Sequence, residues 1–281
     1  SSVEHMAVLD KCKELENIGF EITYLPVDSK GFIDIDLLKN SIREDTILIS
    51  IIHVNNETGV IQPIDLINSI AKSKGVLMMS DATQSVGKMK IDLDELNIDI
   101  LCFSGHKVYA PKGIGCLYIN NNIDFLDFKI HIDKIKNMGT LNVPGIVAIG
   151  KAIEIANLEM NNNENKISRL RDYLESELLK IDGTSVNGDT TQRLYNTSNI
   201  CFKGQLANLI IGRLGLVAVS NGSACQSRVE EASHVLKAMG LSNEDALASI
   251  RFSLGIYNSI EEIDTTIEKI KTLTNNSVNY A

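Results

Sequence analysis

The chain has 281 residues, 44% apolar and 22% charged, which is enough for a sizeable core in one large or two medium domains. A net charge of −9 without any basic block argues against direct nucleic-acid binding, and no apolar run reaches membrane-spanning length. Residues Ser1 to His5 show neither a basic segment nor an apolar core, so no signal peptide is expected. Five scattered cysteines (Cys12, Cys102, Cys116, Cys201, Cys225) lack metal-ligand spacing and fit a reduced, cytoplasmic protein.

Residues 8–15 read as an amphipathic helix ending near Gly19. Residues 20–25 read as a strand and 36–42 as a short helix. Residues 46–53 are a nearly continuous β-branched run, the pattern of a strand covered on both faces. A helix over 64–73 follows, then strands over 75–80, 98–103 and 114–119. This alternation predicts an α/β layer structure with a mostly parallel sheet and flanking helices. Ligands of such sheets lie beyond the carboxyl ends of the strands, where Asn56, Asp81 and Lys107 fall.

The pattern then changes. Residues 147–160 and 166–180 are strongly helical, and Asn161-Asn162-Asn163 between them predicts a break or bend. Short strands near 198–202 and 250–253 mix with helices over 205–214, 231–239 and 260–273. The expected division is a large domain over 1–146, then linking helices and a smaller C-terminal α+β domain over 147–281.

Two placements carry chemistry. The run 98–103 delivers Ser104-Gly105-His106-Lys107 to a sheet edge, and the run 75–80 ends in Asp81-Ala82-Thr83-Gln84. A lone lysine there is ordinarily a surface group, and a lone aspartate a turn former or helix cap. Together they match what pyridoxal phosphate (PLP) needs, a lysine for the Schiff base and a carboxylate to keep the pyridine nitrogen protonated. Asn56 and Gln84 can hydrogen-bond such a cofactor, and Ser104 and His106 can donate to its phosphate. The stretch 220–227 is small, polar and Gly-containing, so Cys225 is expected on an exposed, mobile loop as a nucleophile towards sulfur. The other four cysteines sit in apolar or helical patterns. Arg251, inside a predicted strand, is either an inward carboxylate clamp or an outward edge charge.

Six segments resemble the cysteine desulfurases, class V enzymes of PLP fold type I. They are Glu4-His5-Met6-Ala7-Val8-Leu9, His53-Val54-Asn55-Asn56-Glu57-Thr58-Gly59, Asp81-Ala82-Thr83-Gln84-Ser85-Val86-Gly87-Lys88, Ser104-Gly105-His106-Lys107, Gly222-Ser223-Ala224-Cys225 and Ile250-Arg251-Phe252-Ser253-Leu254-Gly255. The resemblance runs nearly end to end. It implies conversion of L-cysteine to L-alanine, with a persulfide on Cys225 and sulfur transfer to an acceptor protein such as an iron–sulfur scaffold or a thiolation enzyme. It implies His5 as the imidazole stacked on the ring, Asp81 as the pyridinium partner and Lys107 as the Schiff-base lysine. Asn56, Gln84, Ser104 and His106 become cofactor contacts, Arg251 with Asn56 the substrate site, and Thr140 a phosphate contact to the partner subunit of a homodimer.

Two departures from the family pattern stand out. Members carry a further segment before the position of Ser1, with a turn that holds the phosphate at a helix N-terminus. They also carry glycines and an arginine where residues 128–138 here read Phe-Lys-Ile-His-Ile-Asp-Lys-Ile-Lys-Asn-Met. Weak retention of PLP by the 281-residue chain is therefore expected. A fragment, a degraded paralogue or half of a split enzyme fits this pattern. The alternative functions are another class V reaction, aminotransferase or selenocysteine lyase, and an impaired chain serving as a binding subunit.

Overall fold

The computed structural model describes residues 1–123, 139–222 and 231–276. The chain forms two compact units. One comprises Ile42–His53 and Pro63–Met160, the other Ser1–Ser41, Val54–Gln62 and Asn161–Ala281.

In the first unit, strands β1 (Leu48–Ser50), β2 (Leu77–Asp81), β3 (Ile100–Ser104) and β4 (Gly115–Ile119) form a sheet in that order. β1, β2 and β3 are parallel, and β4 is an antiparallel edge. The sheet is thus mostly parallel, as the alternating pattern requires. The β-branched run at 46–53 yields a formal strand of three residues, yet its pairing continues. Ile51 N–H donates to the Met79 carbonyl (3.1 Å) and His53 N–H to that of Asp81 (3.0 Å). Helix Ile64–Ser73 spaces Ile64, Ile67, Ile70 and Ala71 along one buried face and packs on β2. Asp99 anchors the sheet locally by accepting from Met78 N–H at 2.8 Å.

In the second unit, β5 (Thr184–Val186), β6 (Thr197–Phe202) and β7 (Ser249–Ser253) form an antiparallel sheet with β6 central. All six residues of β6 are buried. The core gathers Ile200, Phe202, Leu214, Ile250 and Phe252 with Ile263, Ile267 and Ile270 of helix Ile260–Asn276. Within it, buried Glu175 accepts two 2.7 Å bonds from Arg193 and one of 2.6 Å from Ser198 Oγ. Burial works to raise this carboxyl's pKa. The bonds from Arg193 and Ser198 and the nearby guanidinium charges outweigh it, and the net shift is downward.

Two expectations fail. No break occurs at Asn161-Asn162-Asn163: helix Val143–Leu178 runs through it for 36 residues. An asparagine costs at most about 0.7 kcal/mol in a helix, while Ile167, Leu170, Leu174 and Leu178 bury a continuous stripe beyond it. Residues 20–25 form no strand either. Most of them are exposed, and a backbone bond from Ser2 N–H to the Leu25 carbonyl (2.8 Å) closes the segment. Without a partner strand to satisfy alternate amides, an apolar pattern alone makes no ladder.

Gly87 has φ +73, and a Cβ there would lie 2.4 Å from Val108 Cγ2 and 3.0 Å from Ala156 Cβ. Gly87→Ala should destabilise the protein by about 2–4 kcal/mol through overpacking and the left-handed backbone. Urea unfolding checks this, and an unchanged midpoint would refute the close packing.

Candidate active site

The carboxyl edge of β2 and β3 gathers the predicted cofactor residues of the first unit. Asp81 ends β2 and is in register with Cys102 of β3. The chain leaves β3 at Ser104 and enters a 3₁₀ turn, Gly105–Val108, which contains His106 and Lys107. The turn is short because Gly105 N–H bonds the Ile114 carbonyl (2.9 Å) and Tyr109 adopts a left-handed conformation (φ +65).

Asp81 Oδ1 accepts from Thr83 N–H at 2.9 Å, and Thr83 Oγ1 accepts from Ser104 N–H at 3.3 Å. A hydroxyl thus links the two strand ends. Among the described residues, Asp81 Oδ2 and Lys107 Nζ have no hydrogen-bond or ion-pair partner. Lys107 and His106 are exposed. Desolvation, and then the charges of Lys107 and Lys112, lower the His106 pKa. Half-buried Lys88 donates to the Gln84 carbonyl at 3.0 Å and so fixes the turn carrying Gln84. Burial, with a smaller contribution from Lys107, pulls its pKa down to about 8. His53 is buried, and burial lowers its pKa to about 4 against a weaker opposing effect of Asp65. Thr140 is described and exposed just before the long helix.

The other unit holds the remaining described candidates. His5 caps helix Met6–Asn17, with Nδ1 accepting from Ala7 N–H at 3.2 Å, which leaves its proton on exposed Nε2. Arg251 lies on β7, opposite Asn199 of β6. Its Nη1 donates to the Asn56 carbonyl at 3.0 Å. Its Nε and the Asn56 Oδ1 are both buried without a partner. Each such atom costs roughly 1–3 kcal/mol unless a ligand satisfies it. Arg251 is thus half-buried and turned towards Asn56. Cys225 and residues 128–138 lie outside the described residues.

Sequence reasoning missed three groups here. Thr83 and Lys88 stood in a quoted motif, but their bonds to Ser104 and Gln84 depend on strand pairing and burial. Glu57 stood in another quoted motif without a role, and its side chain is buried.

The class-V aminotransferase family model matches residues 1–266. The cysteine desulfurase IscS of Pectobacterium carotovorum is 45% identical over 275 residues, covering 96% of this chain and 68% of that protein. IscS of Methanosarcina thermophila is 46% identical over 276 residues with the same coverage. A solved NifS-like protein superposes with a TM-score of 0.87 at 33% identity, over 98% of this chain and 74% of that one. A NifS-like protein from Rickettsia africae gives a TM-score of 0.81 at 28% identity over the same shares. The chain belongs to the class-V aminotransferases of PLP fold type I and, within them, to the cysteine desulfurases. The unpartnered lysine amine, the half-free carboxylate and the polar groups of Gln84, Ser104 and His106 fit the PLP this family uses.

Because folding lowers the Lys88 pKa from 10.5 to about 8, the unfolded chain binds more protons between those values. Parent stability therefore rises with pH across that window. The stability of Lys88→Met relative to the parent should be greatest below pH 8 and decline towards pH 10.5. Urea unfolding across that range measures it, and a flat difference would refute the shift.

Proposed function

We propose that this chain uses PLP to take sulfur from L-cysteine, with Lys107, Asp81, Arg251 and Cys225 as the principal groups. The observation that carries the reading is the placement of Asp81 at the end of β2 and of Lys107 in the turn that follows the adjacent β3, each with an unpartnered polar atom. The likeness to the cysteine desulfurases IscS supports the substrate.

When bound, PLP supplies an electron sink for charge developing at the substrate Cα. Asp81 would hold a proton on the ring nitrogen and Gln84 would donate to the ring oxygen, with Asn56 the further cofactor contact that the family resemblance implies. Ser104 and His106 would hold the phosphate, with Thr140 of the partner subunit added as the family resemblance implies. Arg251, with Asn56 beside it, clamps the substrate carboxylate in the role its orphaned Nε suits. Lys107 Nζ receives the α-proton, and His5 moves protons through Nε2. The Cys225 thiolate attacks the substrate sulfur. An S–S bond forms, the Cβ–S bond breaks, and its electron pair stays on Cβ, which is protonated to the methyl group of alanine. The persulfide then passes to an acceptor, an iron–sulfur scaffold or a thiolation enzyme.

A homodimer fits the apolar Val143, Val147, Ile155 and Leu158 of the long helix, which stay 49–75% exposed in the single chain. The free cysteines among the described residues suit a reduced cytoplasmic setting.

After incubation with PLP, the parent should gain a visible absorbance band and release alanine from L-cysteine. Lys107→Ala should lose both. A borohydride-reducible lysine adduct persisting in that variant would refute the assignment. Cys225→Ser should still bind L-cysteine but form no persulfide. Mass spectrometry placing the extra sulfur on Cys12, Cys102, Cys116 or Cys201 would move the carrier elsewhere.

A further inference from the structure

Asn199 is a polar side chain inside the wholly buried strand β6, and it is only 1% exposed. A one-way relay orients its amide. Ser249 Oγ, which donates to the Asp245 carbonyl at 2.7 Å, accepts from Asn187 Nδ2 at 2.9 Å. Asn187 Nδ2 gives its other hydrogen to Asn199 Oδ1 at 2.8 Å. Asn199 Nδ2 is thereby left to donate to the Glu57 carbonyl, at 3.2 Å. Directly opposite Asn199 in the β6–β7 register, Arg251 Nη1 donates to the Asn56 carbonyl at 3.0 Å. Opposed residues of an antiparallel pair share a face of the sheet. Two side chains on one face thus hold two consecutive carbonyls of the turn 55–58.

The turn closes without Asn199. Asn55 Oδ1 accepts from Glu57 N–H (2.9 Å) and Thr58 N–H (3.0 Å), and the Glu57 carboxylate accepts from Ser233 Oγ at 2.6 Å. The Asn199 amide instead sets where the turn sits on β6 and β7. The Arg251 main chain is fixed separately, by bonds of 2.6 and 3.2 Å with Ser220. What the turn governs is the guanidinium. Its bond through Nη1 leaves the fork of Nε and Nη2 for a bidentate carboxylate, and Nε and Asn56 Oδ1 are both buried without a partner. Successive Cα atoms are about 3.8 Å apart, so a shift of the Glu57 carbonyl carries the Asn56 carbonyl with it. We propose that Asn199 is a positioning residue: by holding the Glu57 carbonyl it keeps the Arg251 guanidinium seated on the Asn56 carbonyl, with Nε left free for the substrate carboxylate. This rests on Arg251 being the carboxylate clamp.

Two measurements test it, and one needs no cofactor. In the cofactor-free protein, nitrogen-15 NMR follows the Arg251 Nε–H, assigned by its loss in Arg251→Lys. Asn199→Ala should speed its exchange with water at least tenfold, because a displaced turn uncovers it. In the PLP-loaded protein, Asn199→Ala should raise KM for L-cysteine at least tenfold, with kcat within threefold of the parent. The inhibition constant of cysteamine, which has the amine and the thiol but no carboxylate, should stay within twofold. Asn187→Ala removes the amide that orients Asn199 and should move both readouts the same way. It is the deciding variant should Asn199→Ala not fold. Parent-like Nε–H exchange would overturn the inference, as would an equal loss for cysteamine and L-cysteine, which marks general damage. An unchanged KM for L-cysteine in Arg251→Lys would instead defeat the clamp reading, while the exchange result would still judge the role of Asn199.

Discussion

Parallel pairing of β2 with β3 is the constraint on which the edge bearing Asp81 and Lys107 depends. Parallel strands discharge their carboxyl ends at the same edge of a sheet, so the register of Asp81 with Cys102 puts the next turn of each chain side by side. A slip of one residue would turn Asp81 to the opposite face. Several bonds prevent it. Ala82 N–H donates to the Cys102 carbonyl at 2.8 Å, His53 N–H to the Asp81 carbonyl at 3.0 Å, and Thr83 Oγ1 bridges to Ser104. Buried Met78, Leu101 and Phe103 lock the same register from the apolar side.

The electrostatics of that edge follow from desolvation and from its clustered cations. The His53 imidazole is neutral at physiological pH because burial holds its pKa near 4. The basic groups Lys88 and His106 are shifted downward by desolvation and by the neighbouring cation Lys107. Clustered basic groups held together in this way are stabilised by an anion, which would raise both pKa values again. A phosphate-bearing ligand suits such an edge better than a neutral one.

The other unit solves a different problem, holding charged side chains inside a small antiparallel sheet. Glu175 does so through a forked pairing with Arg193 and a hydroxyl from Ser198. Arg251 does so incompletely. It gives one bond to the Asn56 carbonyl and leaves Nε unsatisfied. Arg193 Nε is buried without a partner as well, so both arginines keep an orphaned donor. What distinguishes Arg251 is the equally orphaned Oδ1 of Asn56, whose carbonyl it bonds.

Local pattern determined much of this molecule. The hydrophobic spacing of helix Ile64–Ser73, the strands ending at Asp81 and Ser104, and the lysine after the second of them could be read from the chain, because period and turn chemistry are local properties. The same reasoning misplaced a break at Asn161 to Asn163, where packing beyond the tract outweighed a weak propensity, and a strand at 20–25, where no partner strand was available. Only the tertiary structure decided that Thr83 reaches Ser104, that the Arg251 guanidinium turns towards Asn56, and that Glu57 meets Ser233. Those contacts join residues 21, 195 and 176 positions apart. Chain closure over such distances leaves no periodic trace in a sequence, and burial creates the demand that each contact satisfies.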